Sequence, residues 1–293
     1  MSFVDGSGVS GNWFYDTVSI SGQAITSQLG VLATTGTDIT EGVLGVGFPA
    51  SYPTLNHNMA AQGLIASNSY SIWLDDLQAA AGTILFGGLN TAKFSGTLGK
   101  MPIIGTTNSD GSTSYNQAVV QMTRIATLQG STKTVQTSST YSENVILDTG
   151  STLTILQKPV ADTIINAMGA QYYPPGSTNG TVIIPCSQAS ASLSVNFHFA
   201  GRVTGPTINV GISELVLQDL GSLNGVEMCE FGIYVSEDNE FPTILGDTFL
   251  RSAYLVYDLD THHVGMAQTV FDSNAPSNIL EISVLGIPIG VQT

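Results

Sequence analysis

Short runs rich in Val, Ile, Thr and Tyr recur along this chain between clusters of turn residues, and that texture predicts an all-β protein. The runs cover residues 16–20, 82–86, 118–122, 145–147, 181–184, 193–199 and 254–258. Residues 193–199 alternate, which would set Leu193, Val195, Phe197 and Phe199 on one face. Many glycines sit at turn positions, such as Gly87-Gly88 and Asp110-Gly111. Helical signals are few. The best is 159–168, with Pro159 near the start, an apolar stripe of Val160, Ile164 and Ile165, and Gly169 just beyond the end.

At 293 residues, 42% of them hydrophobic, the chain can bury one large β core or two smaller ones. Charge narrows the function classes. With 22 acidic residues against 7 basic the formal net charge is −15, so the basic footprint of a nucleic-acid binder is missing. An anionic membrane surface is disfavoured for the same reason. The acidity suits solubility, and equally suits service at low pH, where protonation discharges the chain. No membrane span is expected, because the apolar patches of 279–291 are short and broken by Glu281 and Pro288. The two cysteines, Cys186 and Cys229, are by themselves equally readable as buried thiols or as a disulfide, which would be worth about 4 kcal/mol in the chain-entropy model. One sequon, Asn179-Gly180-Thr181, marks a site open to glycosylation in a secreted protein.

A weak internal repeat ties the two ends of the chain together. Glu41-Gly42-Val43-Leu44-Gly45-Val46-Gly47-Phe48 is similar to Pro242-Thr243-Ile244-Leu245-Gly246-Asp247-Thr248-Phe249. Each copy is two apolar residues and a glycine, closed three residues later by Phe, and each reads as a buried strand ending in a tight turn. Upstream of the second copy stands Val145-Ile146-Leu147-Asp148-Thr149-Gly150-Ser151-Thr152. There an apolar strand delivers a carboxylate to its tip. The Thr149 hydroxyl can bond to a neighbouring loop, and Gly150 allows a sharp turn and close approach to a ligand.

On these residues the chain resembles the pepsin family of aspartic proteases, its fungal members above all. In that family each of two lobes carries one Asp-Thr-Gly loop and, further on, an apolar-apolar-Gly strand threaded beside it. The likeness runs from Phe3 to about Gln268 and includes Ile84-Leu85-Phe86-Gly87-Gly88 and the closing strands around 254–267. It implies an all-β, bilobal pepsin-like fold with an incomplete N-terminal lobe. The corresponding division is a partial first lobe with its flap over 1–105, an interlobe segment over 106–130, a second lobe over 131–268, and a loosely attached tail over 269–293. The loop-rich stretch 106–114 marks the seam.

The resemblance also assigns roles. Asp148 would be one of two catalytic aspartates, Thr149 would brace its loop, and Gly150, Ser151 and Thr152 would hydrogen-bond the substrate chain. Phe3-Val4-Asp5-Gly6-Ser7-Gly8 is similar to the flap tip Tyr-Gly-Asp-Gly-Ser, so Phe3, Asp5, Gly6 and Ser7 are expected to face the substrate. Phe3 keeps the bulk of the tyrosine without its hydroxyl, and Val4 stands where the family has Gly. Asp5 reads either as an acceptor for a basic substrate side chain or as a turn residue. Cys186 and Cys229 match the second-lobe disulfide, which implies an oxidising compartment. The implied partner is a peptide or protein substrate, the implied location extracellular or vacuolar, and the expected state a monomer, with no cofactor and no metal.

The repeat spacing also locates the missing aspartate. Asp148 precedes Gly246 by 98 positions. The same interval counted back from Gly45 falls roughly fifty residues before Met1. No other Asp of the first part has the setting, since Asp5, Asp16, Asp38, Asp75 and Asp76 are all followed by the wrong residues. Met1 is then expected to be an internal methionine, and the lack of a signal peptide in Met1-Ser2-Phe3-Val4-Asp5 says nothing of location. The leading expectation is an aspartic endopeptidase present here as an incomplete chain, inactive alone. The alternatives are a non-catalytic pepsin-fold binding protein and a protease of retroviral type that dimerises through one aspartate per chain, the latter disfavoured by the chain's length.

Overall fold

The apolar runs become strands where the sequence places them, and how those strands pair decides the architecture. A computed structural model describes residues 7–37, 42–49, 52–79, 81–177, 180–201, 205–237, 240–272, 274–288 and 290–291. The largest sheet runs in the order Thr207–Gly211, Leu193–Phe199, Val119–Gln129, Glu143–Leu147, Ile244–Leu245, Thr154–Gln157 and Ile233–Ser236, with Thr132–Val135 also paired to Val119–Gln129. Its alternating strand behaves as expected: Val195, Phe197 and Phe199 are buried, and the two phenylalanines meet Phe249 edge-on at 5.2 and 5.7 Å. Phe249 closes the second repeat copy, so the repeat is anchored in this core.

A four-stranded sheet, Gln171–Tyr172, Val182–Pro185, Val226–Phe231 and Val216–Leu223, packs beside it. The disulfide Cys186–Cys229 is present and ties the segment after Val182–Pro185 to Val226–Phe231. The expected helix is observed over Lys158–Met168. Gly169 ends it in the left-handed region at φ 72°, which a β-carbon would oppose.

Three expectations are corrected. The strands around 254–267 do not close the second lobe. Ala253–Asp258 and His263–Thr269 lie in a five-stranded sheet with Thr83–Phe86, Ser69–Trp73 and Phe94–Pro102 from the first part of the chain. Nor is the segment 106–130 mainly connection, since Val119–Gln129 forms a long strand within the largest sheet. The end of the chain is not loosely attached either. Ile279–Glu281 pairs with Gly88–Asn90, and Ile282 and Ile287 are buried beside Trp73, Leu89, Phe94 and Tyr254. Two buried isoleucines and a three-residue strand are too little to leave a period in the sequence, yet enough to fix a segment.

The beginning of the chain is built differently. Gly8–Ile20 and Gln23–Thr37 form a long two-stranded hairpin that, among the described residues, pairs with no other strand. Among the described residues the buried cluster there is small, Ile25, Leu55 and Met59. Val18, Leu29 and Val31 are half-buried along an open groove of about 750 Å³, shared with residues 42–48 and the start of the helix Leu55–Ala61. The first repeat copy runs along this groove without forming a strand: Val43 is 70% and Leu44 61% exposed. Its counterpart Ile244–Leu245 is buried because the strand leading to Asp148 covers it. Val43 and Leu44 have no such neighbour among the described residues. Asn179 lies outside the described residues.

Candidate active site

Asp148 stands at the end of an apolar strand held from both sides. Glu143–Leu147 pairs antiparallel with Val119–Gln129 and parallel with Ile244–Leu245, Leu147 lying opposite Leu245. Val145 and Leu147 are buried, so the strand is anchored and its last residue is presented where the sheet stops. The Asp148 N–H donates to the Leu245 carbonyl at 3.2 Å, which carries the parallel pairing onto the aspartate itself.

The carboxylate is oriented by its own loop. The Gly150 N–H donates to Oδ1 at 3.0 Å and the Ser151 hydroxyl to Oδ2 at 2.8 Å. These two bonds fix the plane of a half-buried group. Gly246 of the second repeat copy fits against the same loop so closely that a β-carbon there would fall 2.2 Å from the Ser151 carbonyl oxygen and 2.4 Å from that of Leu153. Only glycine allows this approach. Asp247 and Thr248 then donate their N–H groups to the Ser151 and Thr152 carbonyls at 2.8 and 3.1 Å. The Thr248 hydroxyl, buried, bonds to Thr154 and to the Gly232 carbonyl. The repeat is thus the clamp of the aspartate loop.

The residues expected from sequence divide into three groups. Asp148, Thr149, Gly150, Ser151 and Thr152 form one loop. The Ser151 hydroxyl donates to the Asp148 carboxylate. Thr149 is exposed and makes no side-chain hydrogen bond among the described residues. Phe3, Asp5 and Gly6 lie outside the described residues, and Ser7 is buried immediately before the hairpin strand Gly8–Ile20.

Three charged residues to which the sequence reading gave no role follow one another here, Asp247 against the loop, then Arg251 and Glu214 behind it. Asp247 follows Gly246, where the first repeat copy has Val46, and that substitution of a charge into an apolar repeat was the available signal. Burial pushes its carboxyl up to about 6, opposed by the Arg251 guanidinium and reinforced by the Asp148 charge. Arg251 in turn donates to the Glu214 carboxylate at 2.8 Å and to the Glu214 carbonyl at 2.7 Å. Burial raises Glu214 above its ordinary value despite that bond and charge, with Asp76 adding to the rise.

Asp247 has a consequence for pH. Between its unperturbed value of 3.8 and about 6 the folded state holds more protons than the unfolded one. Its contribution to stability is therefore complete below 3.8 and is lost as pH rises through about 6. We expect Asp247→Asn to flatten the fall in Tm between about pH 3.5 and about pH 7. An unchanged pH profile would count against a raised Asp247.

Comparison with known proteins places this arrangement. Residues 1–269 match the family model described as eukaryotic aspartyl protease. The chain is 38% identical to "Probable aspartic-type endopeptidase opsB" of Aspergillus oryzae over 96% of its own length and 58% of that protein. It is 36% identical to "Secreted aspartic protease 8" of Candida albicans, over 95% of this chain and 61% of the relative. The chain thus spans about three fifths of the length of these relatives. Among solved structures it is similar in fold to the aspartic proteinase of Irpex lacteus, with a TM-score of 0.68 at 23% identity, covering 93% of this chain and 81% of that one. An all-β fold with a pepsin-like arrangement, an Asp-Thr-Gly loop clamped by an apolar-apolar-Gly strand, and a match over residues 1–269 make this chain a member of the eukaryotic aspartyl protease family.

Proposed function

We propose that the protein to which this chain belongs is an aspartic-type endopeptidase that hydrolyses peptide bonds in peptide or protein substrates, with Asp148 as one of two catalytic carboxylates. One carboxylate takes a proton from a bound water as that water attacks the peptide carbonyl, while the other, protonated, polarises the carbonyl oxygen. The observation behind this reading is the Asp148 loop: a carboxylate oriented by Gly150 and Ser151, clamped by Gly246, with Thr149 and Thr152 open to solvent. Thr149 is free to bond across to a second loop. Gly150 and Thr152 are left to meet a substrate backbone.

No second carboxylate hydrogen-bonds Asp148 among the described residues. The partner aspartate, in this reading, belongs to a first Asp-Thr-Gly loop outside the given sequence, and the chain alone does not turn over. The disulfide and the secreted Candida relatives favour a secretory location, and the protein would act as a monomer.

The test is a protein-substrate assay at acid pH with and without pepstatin. The purified chain is expected to show no pepstatin-sensitive cleavage, whereas a chain extended upstream through a first Asp-Thr-Gly loop should cleave. Cleavage by the chain as given would sink the claim of a divided dyad. An inactive extended chain would sink the endopeptidase reading itself.

A further inference from the structure

Two of the chain's seven basic residues meet at one histidine. Lys158 meets Asp162 and Glu237, and Arg251 meets Glu214, as bases in an acidic protein should. Arg124 and Lys133 do otherwise. Neither has a carboxylate within ion-pair distance among the described residues, and both reach the same imidazole. Arg124 Nη2 lies 3.1 Å from His198 Nδ1, and Lys133 Nζ lies 3.4 Å from His198 Nε2. The Thr207 hydroxyl is 2.6 Å from Nδ1.

The sheet builds this cluster. His198 stands directly opposite Arg124 on one neighbouring strand and opposite Thr207 on the other. Lys133 comes from Thr132–Val135, which returns along Val119–Gln129. Arg124, Lys133 and Thr207 are exposed and His198 is half-buried. A neutral imidazole can accept at one nitrogen only, yet cationic donors face both. The cluster is rich in donors and short of acceptors.

The geometry points to a binding site for a small tetrahedral oxyanion, a sulfate or phosphate group, held by Arg124, Lys133 and His198 with Thr207 beside them. An oxyanion supplies the missing acceptors and separates three groups that otherwise repel, through charge-assisted bonds to guanidinium and ammonium. Without it, burial first, then the Arg124 and Lys133 charges, hold His198 down at about 4. Arg124, Lys133 and Thr207 are the groups that face the ring from the strands around it, and no carboxylate among the described residues offsets them. A bound anion reverses that balance, so the imidazole takes up a proton and binding strengthens in acid.

Sulfate is the probe of choice, because it remains a dianion across the range in which His198 titrates. The four histidines of the chain are followed by NMR against pH in sodium sulfate and in sodium chloride of equal ionic strength. In sulfate the His198 value is expected to rise from about 4 to about 6. Arg124→Gln and Lys133→Gln should each weaken sulfate binding about tenfold or more and remove the His198 response. A parallel titration with methyl sulfate separates a free ion from an ester: tighter binding of methyl sulfate assigns the site to esters, and tighter binding of sulfate to the free ion. An unchanged His198 titration in both anions, or equal binding by the two variants and the unaltered chain, overturns the proposal.

Discussion

Arg251→Ala is expected to lower the unfolding free energy by about 3–5 kcal/mol, the cost of stranding one member of a buried ion pair. The Arg251 and Glu214 side chains are only 11% and 5% exposed, so solvent screens the pair little. Two bonds go with the guanidinium, one to the carboxylate and one to the Glu214 carbonyl. Glu214, already raised by burial, is then left to protonate or to drag in solvent. Urea unfolding near neutral pH measures the loss, and the deficit should shrink in acid as Glu214 becomes neutral. The double variant Glu214→Leu/Arg251→Met should recover most of the stability, because an apolar pair leaves no charge to solvate. A loss below about 1 kcal/mol for Arg251→Ala would show the pair to be effectively solvated. The same variant carries a second readout. With the guanidinium gone, Asp247 loses the one charge that opposes its rise, so its carboxyl should titrate above about 6.

Asp148→Asn, made in a chain extended through a first Asp-Thr-Gly loop, is expected to cut kcat by about 10²–10⁴-fold, the range for losing a positioned acid–base group. The substitution keeps the shape of the loop. An amide oxygen still accepts from the Gly150 N–H, and the amide nitrogen can donate to the Ser151 hydroxyl that formerly donated to Oδ2. Tm should therefore move little, and the loss should appear in kcat rather than in folding. Wild-type turnover by the variant would remove Asp148 from the chemistry. A large fall in Tm accompanying the loss of activity would instead make it a structural residue.

The pH behaviour of the structure bears on the acidity of the sequence. Composition left solubility and acid service equally open. Asp247 and Glu214 are both raised by burial, so each gives its full stability in acid and loses it as pH rises. That is a property of two buried carboxyls rather than of the net charge of −15. The two effects are separable, since salt screens the surface charge far more than the buried groups.

Much of this protein was readable from the chain alone, because its signals are local. Strand alternation at 193–199 depends only on the period of the pleat, and the helix stop at Gly169 only on one residue's tolerance of positive φ. The clamp on the Asp148 loop was legible as a repeat, since the close approach that excludes a β-carbon at Gly246 fixes a residue type wherever it occurs. What sequence could not decide is which edges meet. Hydrophobic period says which face of a strand is buried and nothing about its partner. The pairing of Ala253–Asp258 with Ser69–Trp73, the docking of Ile282 and Ile287, and the exposure of Val43 and Leu44 therefore waited on the fold. Charges behave the same way. Arg124 and Lys133 find His198 because the sheet brings distant strands together, and Arg251 finds Glu214 because a short helix end and a 3-10 turn pack against each other, so the electrostatics of this chain belong to its tertiary structure.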